Sequence, residues 1–413
     1  MQQPEITVYG AYWCPDCRQT KKFLGEQFIP YHWVDIEQNA EGEQRVLALN
    51  DGKRIIPTVV FADGSFLVEP SNAELARKLD LTLEARLAYY DVIIVGGGPA
   101  GLTAAIYAAR EGVDVLVIER SGLGGQAGLT AGIDNFPGFP EGIGGLEFAE
   151  RVVQQARRFE VEILQATEVT KLDRHGDYHC ILNAAGDHHH ARAVLLATGA
   201  AYRRLGVPGE DDYIGAGIHF CATCDGPFYK GAQEIVVVGS GNSALEEGLH
   251  LTRYADRVTI LARGEKLNAS RFLTDKITSE NSKVKIRYHT AVEAFEGENG
   301  KLKSLRVRDT RSEKSETLTP AAAFIFIGQQ PNSQFVRNYV ETDERGFILT
   351  GHDLEHLEDV QRQVIPFAFE TSVSGVFAAG DVRHGSVNQV ASAVGEGAAA
   401  AIVMRDYLRK LAG

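Results

Sequence analysis

The sequence predicts an α/β protein of three units, and three observations predict it. Two glycine-rich turns, Gly96-Gly97-Gly98-Pro99-Ala100-Gly101 and Gly239-Ser240-Gly241-Asn242-Ser243-Ala244, each follow a short apolar run, residues 91–95 and 234–238. Each turn also opens a helical pattern, so two strand–turn–helix units stand 143 positions apart. Ahead of both, residues 5–79 alternate strands and helices in the order β-α-β-α-β-β-α. At 413 residues the chain exceeds one ordinary core, so two or three domains are expected.

Taken in order, residues 6–9 read as a strand ending at Trp13-Cys14-Pro15-Asp16-Cys17, and 18–26 as a helix. Residues 31–36 and 57–62 are further strands. Asp63-Gly64 turns 59–61 back onto 66–68. Ser71 followed by Glu74 forms a capping box for a last helix to residue 79. This is the element order of a thioredoxin-like fold. Cys14, at the start of the first helix, is the expected attacking thiolate, and Cys17 the resolving thiol.

Composition narrows the function classes. A hydrophobic fraction of 44% and a charged fraction of 23% fit a soluble globular protein. A net charge of -13 argues against nucleic acid or an anionic membrane as partner, since both reward a basic face. Apolar runs are of strand length, and MQQPEITVYG carries no export signal, so a cytoplasmic location is expected. Five cysteines are too few for a disulfide scaffold. Four form two C-x-x-C pairs, Cys14/Cys17 and Cys221/Cys224, each in a redox-type context, so redox chemistry is preferred to zinc. Cys180 reads as a small buried hydrophobe. His188-His189-His190, after an Ala-Gly-Asp turn, reads as a solvated hairpin, and no metal is expected.

In the first glycine turn, Gly96 permits the tight bend, Gly98 lets backbone approach a pyrophosphate, and Gly101 allows close helix–strand packing. Pro99 and Ala100 open the helix, whose N-terminus supplies amide donors to phosphate. Glu119, 23 residues after Gly96, is placed to accept from a ribose 2′-OH. In the second turn Gly239, Gly241 and Ala244 hold the fingerprint positions, with Asn242 and Ser243 between them. The same offset lands on Ala262, followed by Arg263, with Lys266 close by. Lacking an acidic acceptor, this site favours a 2′-phosphate and hence NADPH, with NADH left open. The alternative is that Arg263 is a plain surface charge at a strand end.

Cys221-Ala222-Thr223-Cys224-Asp225-Gly226 lies between the two turns. Cysteines one helical turn apart at a helix start can close a disulfide, and the dipole there favours thiolate. Asp225 is a candidate proton donor or acceptor for a flavin–thiol step. Residues 90–413 thereby resemble the low-molecular-weight thioredoxin reductases. The matching motifs are GGGPAG, GGQ at 124–126, NFPGFPEGI at 135–143, ATGA at 197–200, CATCDG, GSGNSALEE at 239–247 and GVFAAGDV at 375–382, with Asn388-Gln389-Val390 and Gly395-Glu396-Gly397 in the last helix.

The resemblance implies an FAD domain in two segments, 90–206 and 330–413. A nicotinamide domain, 207–329, interrupts it and holds the dithiol; a linker, 81–89, joins both to the domain of residues 1–80. The fold class is thus α/β, a thioredoxin-like domain followed by two Rossmann-like FAD/NAD(P)-binding domains, the second inserted in the first. It implies a homodimer, FAD, and NADPH with NADH as the other option. Cys224 would face the flavin and Cys221 attack the substrate disulfide. Gly125, Gln126, Asn135, Thr198, Gly199, Gly380, Asp381, Gln389 and Val390 would join the first turn in holding FAD, Asp381 at the ribityl chain and Gln389 near the isoalloxazine. Glu247 would join the second turn at the nicotinamide nucleotide. The family's HRR stretch is reduced to Ala262-Arg263-Gly264, and its Arg-Gln near the flavin is Asn388-Gln389.

Residues 4–79 resemble glutaredoxins, mycoredoxin-like ones most of all, through VDIEQN, IPTVVFADGS and EPSNAEL. Ile56-Pro57-Thr58 is similar to the cis-proline loop that faces the dithiol in that family. The Gly-Gly that glutaredoxins place around glutathione is replaced by Leu67-Val68-Glu69-Pro70. The reading is an electron relay from NAD(P)H through FAD and Cys221/Cys224 to Cys14/Cys17, and on to a thioredoxin, glutaredoxin-type or low-molecular-weight disulfide. The alternatives are a flavoprotein donor for a peroxiredoxin, a ferredoxin-driven reductase, and an N-terminal docking module without redox turnover.

Overall fold

In the computed structural model, residues 6–11, 13–27, 29–130, 132–133, 135–280, 283–298, 300–355 and 367–411 are described, with backbone alone at 223, 224 and 278–280. The N-terminal domain runs β1 (Thr7–Gly10), α1 (Pro15–Glu26), β2 (His32–Asp35), α2 (Ala40–Leu49), β3 (Thr58–Val60), β4 (Phe66–Val68) and α3 (Asn72–Lys78). Its sheet has the order β2-β1-β3-β4, with β1 parallel to β2 and antiparallel to β3. Val8, Phe23, Leu24, Val59 and Leu75 form the core between sheet and helices. Helix α1 starts where it does because Cys14 is extended, its sulfur accepts the Cys17 N–H, and Pro15 fixes the first helical φ. The Ser71–Glu74 capping box starts α3 as expected.

The linker is held against the next domain. Thr82 O accepts the Gln165 N–H at 2.9 Å, and Ala88 O accepts the His190 N–H at 3.1 Å. Arg86 donates its backbone N–H (2.6 Å) and Nε (3.0 Å) to the buried Glu162 carboxylate, which also takes the Tyr90 hydroxyl at 2.9 Å. At the C-terminal end of α1, Glu26 O accepts the Gly122 N–H at 2.6 Å, and Gln27 Nε2 donates to Arg120 O at 2.9 Å.

The central domain contains β5 (Tyr89–Val95), α4 (Pro99–Arg110), β6 (Val115–Ile118), α5 (Gly125–Leu129), α6 (Gly145–Arg158), β7 (Glu162–Leu164), β8 (Val169–His175), β9 (Tyr178–Asn183) and β10 (His188–Leu196). They build a sheet ordered β7-β6-β5-β10-β9-β8, parallel from β7 to β10 and antiparallel beyond. His188–His190 are the first residues of β10 on the antiparallel β9–β10 hairpin, which is solvated only in part: His188 is exposed, His189 buried and His190 half-buried. The strands of the parallel part are apolar on both faces because α4, α6 and the C-terminal helix (Val390–Leu411) cover one, and residues of β8 and β9 with Val336, Val340 and Ile348 cover the other.

The chain leaves this domain through β11 (Ala200–Tyr202) into β12 (Ile218–His219), α7 (Ala222–Asp225), β13 (Ala232–Val238), α8 (Asn242–Leu251), β14 (Ala255–Leu261), α9 (Arg271–Glu280) and β15 (Val284–Arg287). After β16 (Thr290–Glu298), β17 (Lys301–Asp309), β18 (Ser315–Leu318) and β19 (Ala322–Ile325) it returns through β20 (Gln329–Pro331). The parallel sheet here is β12-β19-β13-β14-β15, with β16-β17-β18 an antiparallel layer. Strands β11 and β20 pair antiparallel, so the exit and the return lie side by side. Then β21 (Val376–Ala378) joins β10 in parallel and α10 (Val390–Leu411) packs on α4. That approach is close enough that a Cβ on Gly397 would stand 2.1 Å from Ala100 O. The second Rossmann-like domain is thus inserted in the first.

Candidate active site: two nucleotide cradles and two dithiols

The two glycine turns have one geometry. Gly96 (φ +113°) and Gly239 (φ +147°) adopt backbone conformations that favour glycine, and a Cβ on either would lie 2.3 Å from a carbonyl of the next strand, Ala197 O or Phe326 O. Gly98 and Gly241 are the N-caps of α4 and α8, and neither has any atom within 4 Å of where its Cβ would be. Gly101 has Gly96 O at 1.9 Å, while the third position of the second turn already carries the fully buried Ala244. Bend, open face and close packing therefore fall at the positions expected from the spacing.

The residues present fit FAD. The open face at Gly98 lies at the N-terminus of α4, beside Gly125, whose Cβ would touch Gly98 Cα at 3.3 Å. The Glu119 carboxylate sits at the same turn, accepting the Gly97 and Ser121 N–H groups at 2.6 Å each. Burial pushes its pKa up while those two donors oppose the shift. Gln126 follows Gly125 on α5, and Thr198 and Gly199 follow β10. Thr198 and Asn332 interlock through two hydrogen bonds of 2.7 and 2.8 Å.

At the other end, Asn135 Nδ2 donates to Gln389 Oε1 at 3.0 Å, joining residues far apart in sequence beside Val390 and the start of α10. Asp381 accepts from Ser386 Oγ at 3.1 Å, and burial raises its pKa from 3.8 to about 6. The Gly380 N–H donates to Glu396 at 2.8 Å, and Glu396 also receives Arg383. This last pair was missed in the sequence, where Arg383 follows the Gly380-Asp381 motif without a spacing signal.

Around the second turn, Arg263 and Lys266 are exposed beyond the end of β14, as is Arg271 at the start of α9. Asn242 is exposed and accepts the Ser270 N–H at 2.7 Å, which draws the α9 entry to the turn; Ser243 is exposed beside it. Glu247 lies on α8, one turn beyond the glycine turn. It is half-buried, and its carboxylate accepts the backbone N–H of Ala222 in α7. It thereby ties the nucleotide helix α8 to the dithiol helix.

Cys221 is disulfide-bonded, while the side chain of Cys224 lies outside the described residues. Asp225 is buried, with Oδ2 3.4 Å from His219 Nδ1, and His219 Nε2 is 2.7 Å from the Tyr229 hydroxyl. Burial, then the Asp225 charge, pushes the Tyr229 pKa up to about 12. Tyr202 on β11 is raised to about 12 by burial, then by Asp381, with Glu247 and Asp225 adding to it. The Tyr202 ring stacks on Phe220, the residue before Cys221, with centroids 5.0 Å apart. Phe228 touches Gly132. None of His219, Tyr229 or Tyr202 was marked by the sequence reading, because each acts through a tertiary contact.

The outer pair has the full thioredoxin-type arrangement. Cys14 caps α1 and its sulfur receives the Cys17 N–H at 3.0 Å; it also lies 3.8 Å from Ile56 O, next to the cis Ile56–Pro57 bond. Cys17 is wholly buried, and burial followed by the Cys14 sulfur pushes its pKa up to about 12. Burial thus disfavours the thiolate form of Cys17. A Cβ on Gly10 would meet Cys17 Sγ at 2.7 Å and the Trp33 ring at 2.6 Å, so only glycine lets the thiol settle there. Glu69, where the Gly-Gly is missing, still takes a left-handed backbone (φ +45°), and its N–H donates to Pro57 O at 2.8 Å. Trp13 is 61% exposed and donates to Glu37 at 2.9 Å, leaving an aromatic face beside the dithiol.

Comparison with known proteins places both parts. Residues 90–397 match the pyridine nucleotide-disulphide oxidoreductase family model, and residues 6–67 the glutaredoxin model. The thioredoxin reductase of Bacillus subtilis (strain 168) is 38% identical over 322 residues, 78% of this chain and 96% of that enzyme. The thioredoxin reductase of Treponema pallidum (strain Nichols) is also 38% identical, over 78% of this chain and 98% of its own length. The crystal structure of thioredoxin reductase from Streptococcus pyogenes MGAS5005 superposes with a TM-score of 0.69 at 36% identity, covering 78% of this chain and 99% of that one. The peroxiredoxin-donor reading receives no specific support from these relatives. With two glycine cradles, a C-x-x-C between them and relatives that match nearly end to end, the chain belongs to the pyridine nucleotide-disulphide oxidoreductases as an FAD-dependent, NADPH-type thioredoxin reductase-like enzyme with a fused glutaredoxin domain.

Proposed function

We propose that the enzyme works as an internal relay, in which the Cys221/Cys224 dithiol reduces the fused Cys14/Cys17 pair, which then reduces an outside disulfide. The observation that carries this reading is Cys14, set as the N-cap of α1 against the cis-proline loop on a reductase body. Held between the Gly96–Gly101 turn, Glu119, Asp381 and the Asn135–Gln389 pair, FAD supplies the two-electron link between nicotinamide and dithiol. The protein side does the rest. Asp225, which contacts His219 and through it Tyr229, stands next in sequence to Cys224 to donate or accept the proton of thiol–flavin exchange. Cys221 then attacks the Cys14–Cys17 disulfide, and Cys224 closes the inner disulfide again, so that two electrons and two protons reach Cys14/Cys17. Cys14 attacks the substrate disulfide; Cys17 resolves the mixed disulfide and releases a substrate dithiol.

Arg263, Lys266 and Arg271 give the second cradle a cationic rim, which supports NADPH over NADH. The antiparallel pairing of β11 with β20 supports a division into 90–206, 207–329 and 330–413 after a linker at 81–89. We take the working form to be a cytoplasmic homodimer, as the family resemblance implies. No helix among the described residues is long and apolar enough to cross a membrane.

One fact constrains the relay. The N-terminal domain docks through the C-terminal end of α1, whereas Cys14 caps its N-terminal end, about 18 Å away along a twelve-residue helix. The outer dithiol therefore lies at the end of α1 away from the dock, free to exchange with the inner dithiol of this chain or of a second subunit. Anaerobic stopped-flow reduction by NADPH and by NADH, followed by thiol counting, tests the relay. Fast bleaching with four new thiols per chain supports it. Four thiols in the parent but unchanged turnover of every downstream disulfide in Cys14→Ser/Cys17→Ser would refute it.

A further inference from the structure

The antiparallel end of the central sheet carries a cluster that the redox chemistry does not use. Cys180, in the middle of β9, stands directly opposite His190 of β10 in the strand register. His175 ends β8 opposite Tyr178, one diagonal step from Cys180. Alternate residues of a strand share a face, and cross-strand partners share it too, so all three project to the same side. One ligand atom each from His175, Cys180 and His190 lie within 4.8 Å of one another. His188, two residues before His190 on the same face, brings its Nδ1 to 3.2 Å from Cys180 Sγ.

The centre of the cluster is buried at Cys180, with His190 half-buried and His175 and His188 exposed at its edge. Cys180 is 3% exposed, and the buried Nδ1 of half-buried His190 has no hydrogen-bond partner among the described residues. A buried imidazole nitrogen without a partner is costly, and a metal bond removes that cost. Tyr89 stacks on His190 with ring centroids 4.9 Å apart and walls one side. His175 is exposed at its strand end, so its side chain is free to swing inward. Donors around a tetrahedral zinc stand roughly 3.5 Å apart, given bonds of about 2.0–2.3 Å. The cluster needs to close by only about 1 Å.

We propose that Cys180, His190 and His175, with His188 as the fourth ligand, form a site for one zinc-class divalent ion. The donor set decides the class: one sulfur and two or three imidazoles select borderline-soft ions and offer nothing to calcium or magnesium. On binding, the Cys180 thiol gives up its proton to solvent, the imidazoles bind in their neutral forms, and no electron moves. The ion would clasp β8, β9 and β10 at the point where the linker meets the sheet, since Ala88 O holds the His190 N–H. The His188–His190 spacing conceals this, because consecutive strand residues alternate faces and the other donors come from neighbouring strands.

The test uses tag-free, FAD-loaded enzyme with both C-x-x-C pairs oxidised, so that Cys180 is the one remaining thiol of the five cysteines. Cobalt(II) is titrated in as a spectroscopic stand-in for zinc. The expected result is one equivalent per chain, with a thiolate-to-cobalt charge-transfer band and tetrahedral ligand-field absorption, both erased by zinc. Cys180→Ser should lose the band, and His190→Ala should weaken binding at least tenfold. Zinc should also protect Cys180 of the parent from iodoacetamide. Retained flavin absorbance and NADPH-driven turnover in Cys180→Ser show that the variant is folded. Absence of the charge-transfer band in the parent, an unchanged band in either variant, or alkylation of Cys180 at the same rate with zinc present would each overturn the assignment.

Discussion

Two glycines in the first turn, three residues apart, are expected to fail in opposite ways when each is changed to alanine. At Gly101 the new methyl would stand 1.9 Å from Gly96 O, against an ordinary contact of 3.4 Å or more, so about 1.5 Å must open between α4 and the turn. Both partners are backbone, and no flexible side-chain end can give way. Overpacking of this kind costs about 1–3 kcal/mol, and a backbone-to-backbone clash belongs at the top of that range. At about 3 kcal/mol, with roughly 2–4 °C lost per kcal/mol in a domain of this size, the apoprotein Tm should fall by roughly 6–12 °C.

At Gly98 the methyl meets nothing within 4 Å, and φ -80°, ψ -175° is ordinary extended backbone. Gly98→Ala apoprotein should therefore match the parent to within about 0.5 kcal/mol. The same methyl occupies the face that pyrophosphate approaches, so FAD affinity should drop at least tenfold, or about 1.4 kcal/mol. Thermal scans of both apoproteins and FAD titration by flavin fluorescence make the comparison. If Gly98→Ala destabilises the apoprotein as much as Gly101→Ala, or binds FAD like the parent, the division between packing glycine and ligand glycine is wrong. An unshifted Gly101→Ala Tm would be equally damaging.

Gly241→Ala, open in the same way at the second turn, should raise the KM for NADPH at least tenfold while FAD stays bound, as steady-state kinetics with absorbance would show. Cys17→Ser should trap Cys14 in a mixed disulfide with substrate, visible by non-reducing mass spectrometry; rapid release of that adduct would contradict Cys14 as the attacking sulfur. His219→Gln should slow thiol–flavin exchange by about 10–100-fold with NADPH-driven flavin bleaching unchanged, since His219 touches Asp225 and not the nucleotide cradle. Asp381 has a folded pKa raised to about 6, so the stability present below about pH 4 is lost as pH rises through 6. Asp381→Asn apoprotein should then be the more stable by up to about 3 kcal/mol at pH 7.5 and gain nothing at pH 4, in urea titrations at both values.

Where the sequence was legible, a single strand–turn–helix unit contained the whole argument. The offsets between Gly96, Gly98 and Gly101 are fixed by one bend and one helix start, so spacing alone assigns bend, open face and packing contact. The Cys14 cap and the Ser71–Glu74 box are equally local. Glu247 shows the limit. Its motif neighbours point to a nucleotide, and nothing in the motif reports that the carboxylate also takes the Ala222 N–H of α7. His219, Tyr229 and Tyr202 are set by how β11, β12 and α7 come together, and no periodicity in their own segments reports it.

The same limit applies to the joint between the two enzymes in the chain. Residues 81–89 contain no signal beyond shortness, yet Glu162, buried at the edge of the sheet, gathers the Arg86 backbone and side chain and the Tyr90 hydroxyl. The exposed Arg86 ion pair contributes at most about 1 kcal/mol, so most of the hold comes from the buried acceptor and the Glu26–Gly122 and Gln27–Arg120 bonds. A handful of hydrogen bonds of about 1 kcal/mol each is a dock that opens on its own, not a fused interface. Such strength suits the proposed relay, whose outer dithiol must meet both Cys221 and an outside disulfide, because a tighter dock would restrict that exchange and a looser one would give up the orientation. The linker then acts as a tether that keeps the two dithiols at an effective concentration on the order of mM while the dock sets how often they meet.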